Sequence, residues 1–125
     1  MCIAVMAAMA ASCGKSEEYL IDKLGVEVTA EENREYSYTD KKSGYWYGTT
    51  HQEELQWYSG WNMAKKRVLA DYTISVDGRV LDRSEAECMV YPDRLVRTWD
   101  NTVETFTMLD NLPIIYIEIK TEEPT

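Results

Sequence analysis

The feature that most constrains the fold is punctuation. From about residue 34 the chain is cut into short alternating runs by turn signals, and no run keeps a helical period beyond two turns. Asp77-Gly78 is a strong signal, because both central positions of a two-residue hairpin turn take positive φ, which Asp and Gly tolerate. It joins residues 69–76 to residues 79–83 and sets Ile74 opposite Leu81. Tyr36 and Tyr38 alternate with polar neighbours, residues 40–44 turn, and residues 45–50 return as an aromatic and β-branched strand. Ala86, Cys88 and Val90 alternate with Glu85, Glu87 and Met89 until Tyr91-Pro92-Asp93 turns the chain. A two-residue loop at Asp100-Asn101 then pairs Arg97 with Glu104 and Leu95 with Phe106, so charge meets opposite charge and apolar meets apolar. The run Ile-Ile-Tyr-Ile-Glu-Ile at residues 114–119 completes the set. Seven or eight short strands joined in this way predict an all-β chain, an antiparallel β-sandwich with Ile74, Leu81, Leu95 and Phe106 in its core. The last strand lies uncovered near Thr125, so the chain reads as the incomplete N-terminal part of a larger sandwich.

At 125 residues there is one domain at most. A net charge of -9 repels phosphate and argues against a nucleic-acid partner. Residues 3–11 form an apolar run too short to cross a bilayer, of the kind found in a signal peptide. It ends Ala10-Ala11-Ser12-Cys13, similar to a lipoprotein box, with Cys13 as the expected lipidation site and the membrane met only through that lipid. No Lys or Arg precedes the run, which sets the expected start upstream of Met1. The organisation is then a leader over residues 1–13, a tether and first short element over 14–33, and the sandwich over 34–125. Localisation follows as periplasmic or outer-membrane, with Lys15-Ser16-Glu17-Glu18 resembling a surface-display tag. Cys88, left alone in an alternating run, reads as a small buried hydrophobe.

Eight of the fourteen aromatic residues lie between Tyr36 and Trp61, among Gly, Ser, Asn, His and paired glutamates. Burial of a tryptophan is worth up to roughly 5 kcal/mol, so core packing is the default for most of Trp46, Trp57, Trp61 and Trp99. Trp57 and Trp61 lean the other way, because Gln56, Ser59, Gly60 and Asn62 around them supply hydrogen-bonding groups in an expected loop. Candidate contacts to a carbohydrate or a neighbouring domain are Trp46, Tyr47, His51, Gln56, Trp57, Trp61 and Asn62. Lys65, Lys66 and Arg67 read as a solvated flank. The sequence has no phosphate loop, Ser/His/Asp spacing or metal-ligand cluster, so no catalytic residue, metal or cofactor is expected. His51 has no neighbouring ligand, and Glu53 and Glu54 point to opposite faces if extended, unlike the carboxylate pair of a glycosidase.

Residues 40–118 resemble the N-terminal β-sandwich of bacterial six-hairpin, (α/α)-barrel glycoside hydrolases, the glycogen-debranching, trehalase and oligosaccharide-glucosidase group. The resemblance is carried by Ser43-Gly44-Tyr45-Trp46-Tyr47-Gly48, Thr50-His51, Gln56-Trp57, Gly60-Trp61-Asn62-Met63-Ala64, Leu81-Asp82-Arg83 and Tyr91-Pro92-Asp93. It implies an exported enzyme acting on α-glucosides, with its catalytic acid and base on a downstream barrel. This chain would pack against that barrel and lend a loop to the substrate cleft. The alternatives are a stand-alone carbohydrate-binding lipoprotein, with an oligosaccharide as partner, and a structural cell-envelope module.

Overall fold

The computed structural model describes residues 20–52 and 56–122. The leader-like run, Cys13, the display tag and Glu53-Glu54 lie outside these residues. Along the chain the strands are β1 (Val26–Val28), β2 (Glu35–Thr39), β3 (Gly44–Thr49), β4 (Gly60–Met63), β5 (Lys66–Leu69), β6 (Ser75–Val76), β7 (Arg79–Val80), β8 (Glu87–Val90), β9 (Arg94–Thr98), β10 (Thr102–Met108) and β11 (Ile115–Thr121). They form a five-stranded sheet in the order β1-β8-β9-β10-β11, a four-stranded sheet in the order β2-β3-β4-β5, and a β6-β7 ribbon. All pairings are antiparallel, giving an all-β, sandwich-like fold. Among the described residues no helix is long and apolar enough to cross a membrane.

Several registers follow from the turn chemistry. Leu95 faces Phe106 and Arg97 faces Glu104 across β9 and β10. Asp77 and Gly78 both take positive φ, and Leu81 N–H donates to Ile74 O at 2.9 Å. The turn at residues 40–44 is held by the Asp40 carboxylate, which accepts from the backbone N–H groups of Lys42, Ser43 and Gly44 at 2.7, 3.1 and 3.0 Å. Those bonds, Lys42 first, hold the Asp40 carboxyl below the usual carboxylate range.

Two expectations need correction. Residues 69–76 do not form one strand: β5 ends at Leu69, and only Ser75 and Val76 pair across the Asp77-Gly78 turn. The loop expected around Trp61 and Asn62 is strand β4, which continues through a tight turn into β5. That turn was unreadable because Ala64 and Lys65 supply its positive φ angles of 50° and 65°, where Gly or Asn would have signalled it. The first short element also joins the sheet: Val28 is buried, and β1 pairs with β8.

The core lies between the sheets, where alternate residues of each strand point inward. Tyr36 and Trp46 come from one sheet and Cys88, Leu95, Phe106 and Met108 from the other. The Trp46 and Phe106 ring centres are 5.1 Å apart. Ile74 is buried outside this cluster, and Leu81 is half-buried. Cys88 is fully enclosed, and burial pushes its thiol up to about 11, as befits an inert small hydrophobe. Strand β2 is tied over the β8–β9 turn, where the Tyr38 hydroxyl meets the Tyr91 and Arg94 carbonyls at 2.7 and 2.5 Å. Strand β3 lies over β10, so the strand order carries β4–β5 and β11 to the same flank. That flank is open: Leu69 and Ile119 belong to inner faces by register, yet are 41% and 45% exposed.

Candidate functional site

Because Trp46 pairs with Trp61, their neighbours in register, Tyr45, Tyr47 and Asn62, point to the outer face of the four-stranded sheet. Tyr45 faces Asn62 and Asn62 faces Arg67, giving one row across β3, β4 and β5. Residues 56–59 turn back over this row. Gln56 N–H donates to Ser59 Oγ at 2.9 Å, and Ser59 N–H donates to Gln56 O at 3.1 Å. Asn62 Nδ2 donates to Tyr58 O at 2.9 Å and Arg67 Nη2 to Trp57 O at 3.1 Å, so strand side chains hold the turn from below.

Gly60 makes this docking feasible. Its φ is +87°, and a Cβ there would lie 2.1 Å from Leu69 O and 2.3 Å from Ala70 O. Only a residue without a side chain lets the chain leave the turn and enter β4 against that backbone.

The result is an aromatic ladder on the outer face. Tyr47 and Tyr58 meet edge to face at 4.9 Å, and Trp57 stands at 89° to Tyr58 with centres 5.3 Å apart. Trp57 is 81% exposed, an unusual position for a large apolar ring. The Glu35 carboxylate accepts from the Tyr47 hydroxyl and, with burial, raises that hydroxyl's pKa. Beside Trp57 a groove of about 510 Å³ is lined by Ser43, Tyr45, Asn62, Met63, Lys65 and Arg67.

The sequence candidates therefore separate. Tyr47, Gln56, Trp57 and Asn62 come together on the outer face, although Asn62 spends its amide on Tyr58 O and Gly60 O and acts as a brace. Trp46 is corrected from contact residue to core: it is 2% exposed and its Nε1 donates to the Tyr36 hydroxyl at 3.0 Å. Trp61 is partly buried on the inner face against the core, and its Nε1 is buried without an acceptor among the described residues.

His51 is corrected likewise, since it is 2% exposed with both ring nitrogens engaged. Nε2 lies 3.0 Å from Ala86 O, which can only accept, so Nε2 carries the proton. Nδ1 then accepts from Thr50 Oγ1 at 2.9 Å, while Thr50 Oγ1 itself accepts from Arg34 N–H at 3.0 Å. Burial holds the His51 pKa below the usual histidine value, and the ring is a neutral strut joining the sheets. A hollow of about 660 Å³ beside it, bounded also by Asp82 and Arg83, therefore meets no free imidazole nitrogen.

The residues sequence reasoning missed are Tyr45, Tyr58 and Lys65. The register of Tyr45 with Asn62 carries the signal for the first, Tyr58 lies in the turn that Ser59 and Gly60 mark, and Lys65 lies in a turn that no turn-forming residue announces. Among the described residues no group of three His, Cys, Asp or Glu side chains is placed to hold a metal ion. Comparison of the chain with protein-family models, curated proteins and solved structures finds no match.

Proposed function

We propose that this chain is the non-catalytic N-terminal β-sandwich of an exported glycoside hydrolase acting on α-glucosides, anchored through a lipid on Cys13. In this reading it packs against a catalytic barrel of the same parent chain and lends a loop to the substrate cleft. The observation that carries the reading is the open flank. Leu69 and Ile119 leave inner-face apolar surface uncovered, and Val68 and Ile114 are exposed along the same β5 and β11 edges. An apolar edge of this kind is a surface that a neighbouring domain or strand covers in a finished protein. The 56–59 turn, braced by Asn62 and Arg67, is the loop offered to the cleft.

The reading frame after codon 125 tests the proposal. It should encode a helical barrel bearing a carboxylate pair, and the joined product should release glucose from maltose, trehalose or isomaltose where residues 14–125 alone do not. A stop codon directly after residue 125, or glucose release by the short chain, overturns it. The anchor is tested by membrane fractionation of the chain expressed with its native upstream start. Loss of membrane association in Cys13→Ala supports it, and equal partitioning of the two forms removes it.

The exposure of Trp57 favours a second reading, a stand-alone carbohydrate-binding lipoprotein. Saturable sugar binding combined with a stop codon after residue 125 is the pair of results that selects it.

A further inference from the structure

The cations of this chain are not spread as its acids are. There are 13 Lys and Arg against 22 Asp and Glu, so a carboxylate partner is easy to find. Arg34, Lys41, Arg83, Arg94, Arg97 and Lys120 each sit within 4.0 Å of one. Lys42, Lys65, Lys66 and Arg67 do not, among the described residues, and neither does Arg79 on the β6–β7 ribbon. The first four share one place. Gly44 pairs with Met63, so the β2–β3 turn bearing Lys42 lies beside the β4–β5 turn bearing Lys65, with Lys66 and Arg67 next along β5.

Lys65, Lys66 and Arg67 repel one another, while Lys42 beside them is partly offset by the Asp40 carboxylate, at the end of the sheet that carries the groove beside Trp57. At physiological salt a charge is felt over roughly 8 Å, so an anion within the groove feels Lys65 and Arg67, which line it, more than the acids elsewhere on the chain. We propose that this end of the second sheet binds an acidic saccharide. A hexuronate residue lays its C–H face on the Trp57 indole and sets its carboxylate among Lys65 and the adjacent cations.

The chemistry matches the parts. A pyranose ring presents polarised C–H bonds on one face, which the electron-rich face of an indole attracts, and Trp57 is held upright against Tyr58 with most of its surface free. A carboxylate accepts charge-assisted bonds from ammonium and guanidinium groups, while a neutral glucoside leaves Lys65 and Arg67 uncompensated. The platform is preorganised, because Arg67 and Asn62 fix the Trp57–Tyr58 backbone before any ligand arrives. The inference rests on the outer face alone and stands or falls separately from the hydrolase reading.

The test is titration of the full chain, followed by tryptophan fluorescence and calorimetry, with trigalacturonate, maltotriose and tripolyphosphate. Trigalacturonate should bind saturably and weaken as salt rises. Trp57→Ala and Lys65→Gln should each lower its affinity about tenfold or more, with unfolding midpoints unchanged because these side chains are exposed. No binding of trigalacturonate at millimolar concentration overturns the proposal. So does maltotriose binding of equal strength, which would remove the acidic group from recognition. Equal binding of tripolyphosphate that survives Trp57→Ala overturns it too, since the patch would then hold anions without a saccharide.

Discussion

Arg97 and Glu104 face each other across β9 and β10 with Nη1 and Oε2 3.2 Å apart, and neither side chain touches solvent. A guanidinium has five N–H groups on three nitrogens, and here each nitrogen finds an acceptor. Nε donates to Thr50 O at 2.8 Å, Nη2 to Thr49 O at 3.1 Å and the Tyr36 hydroxyl at 3.5 Å, and Nη1 to both Glu104 oxygens. Glu104 also accepts from the Tyr72 hydroxyl. The network runs from Trp46 through Tyr36, Arg97 and Glu104 to Tyr72, so it stitches both sheets and the segment after β5. Burial works against the Arg97 charge, but the Tyr36 hydroxyl and the Glu104 carboxylate outweigh it and hold its pKa above the ordinary arginine value.

Removing one partner of this pair should therefore cost more than removing both. Glu104→Ala leaves a buried cation uncompensated and should destabilise by about 3–5 kcal/mol. Arg97→Met with Glu104→Leu should recover most of that loss, because the desolvation cost of both charges disappears as well. Urea midpoints of wild type, single and double variants decide it. A double variant as unstable as Glu104→Ala would mean that the bonds from Arg97 to Thr49 and Thr50, not charge compensation, hold the sheets together.

The exposed and buried aromatics separate in the same assay. Phe106 is fully enclosed between Trp46, Tyr38 and Tyr72, so Phe106→Ala should cost about 3–5 kcal/mol. Trp57→Ala removes an exposed ring and should change stability by no more than about 0.5 kcal/mol. Comparable losses from the two would show that Trp57 packs in solution against apolar surface that the present geometry leaves uncovered.

The strand pairs were legible wherever local chemistry and tertiary register agree. Asp77-Gly78 and Asp100-Asn101 mark their turns, and pairing Arg97 with Glu104 follows from loop length alone. Depth was not legible. A period of two tells which residues share a face but not what covers that face, so the sequence pairs Arg97 with Glu104 without showing that both are core. The aromatic patch divided for the same reason: Trp46 and Tyr47 are neighbours in sequence yet face opposite sides of one sheet. His51 reads as a polar site residue until the Ala86 carbonyl, 35 residues away, takes its second nitrogen.

His51 should make stability depend on pH in a defined direction. Its folded pKa lies below the unfolded value, mainly through burial, so acid protonates the unfolded chain first. The contribution is complete above the unfolded pKa, about 6.5, and is lost progressively as pH falls below it. His51→Gln does not titrate there. The stability difference between wild type and His51→Gln should therefore shift against wild type from about pH 7.5 to 5.5. A flat difference across that interval would mean that the ring is protonated as readily folded as unfolded, which two enclosed nitrogens do not permit.

Gly60 and Gly78 offer a controlled comparison, because both take positive φ, +87° and +78°, and differ in what surrounds them. At Gly78 a Cβ meets nothing within 4 Å, so Gly78→Ala should lose only the conformational preference, about 1–2 kcal/mol. At Gly60 the same atom is driven into the Leu69 and Ala70 carbonyls, and backbone cannot swing aside as a flexible side chain can. Gly60→Ala should cost at least about 2 kcal/mol more than Gly78→Ala. It should also spread β5 from β4 at the site of the bulge between Trp61 and Asn62, loosening the turn that carries Trp57. Thermal unfolding gives the first quantity, and iodide quenching of tryptophan fluorescence reports the second. Equal losses in the two variants would show that φ alone sets the requirement for glycine, and that the close approach of β5 to Gly60 does not position the Trp57 platform.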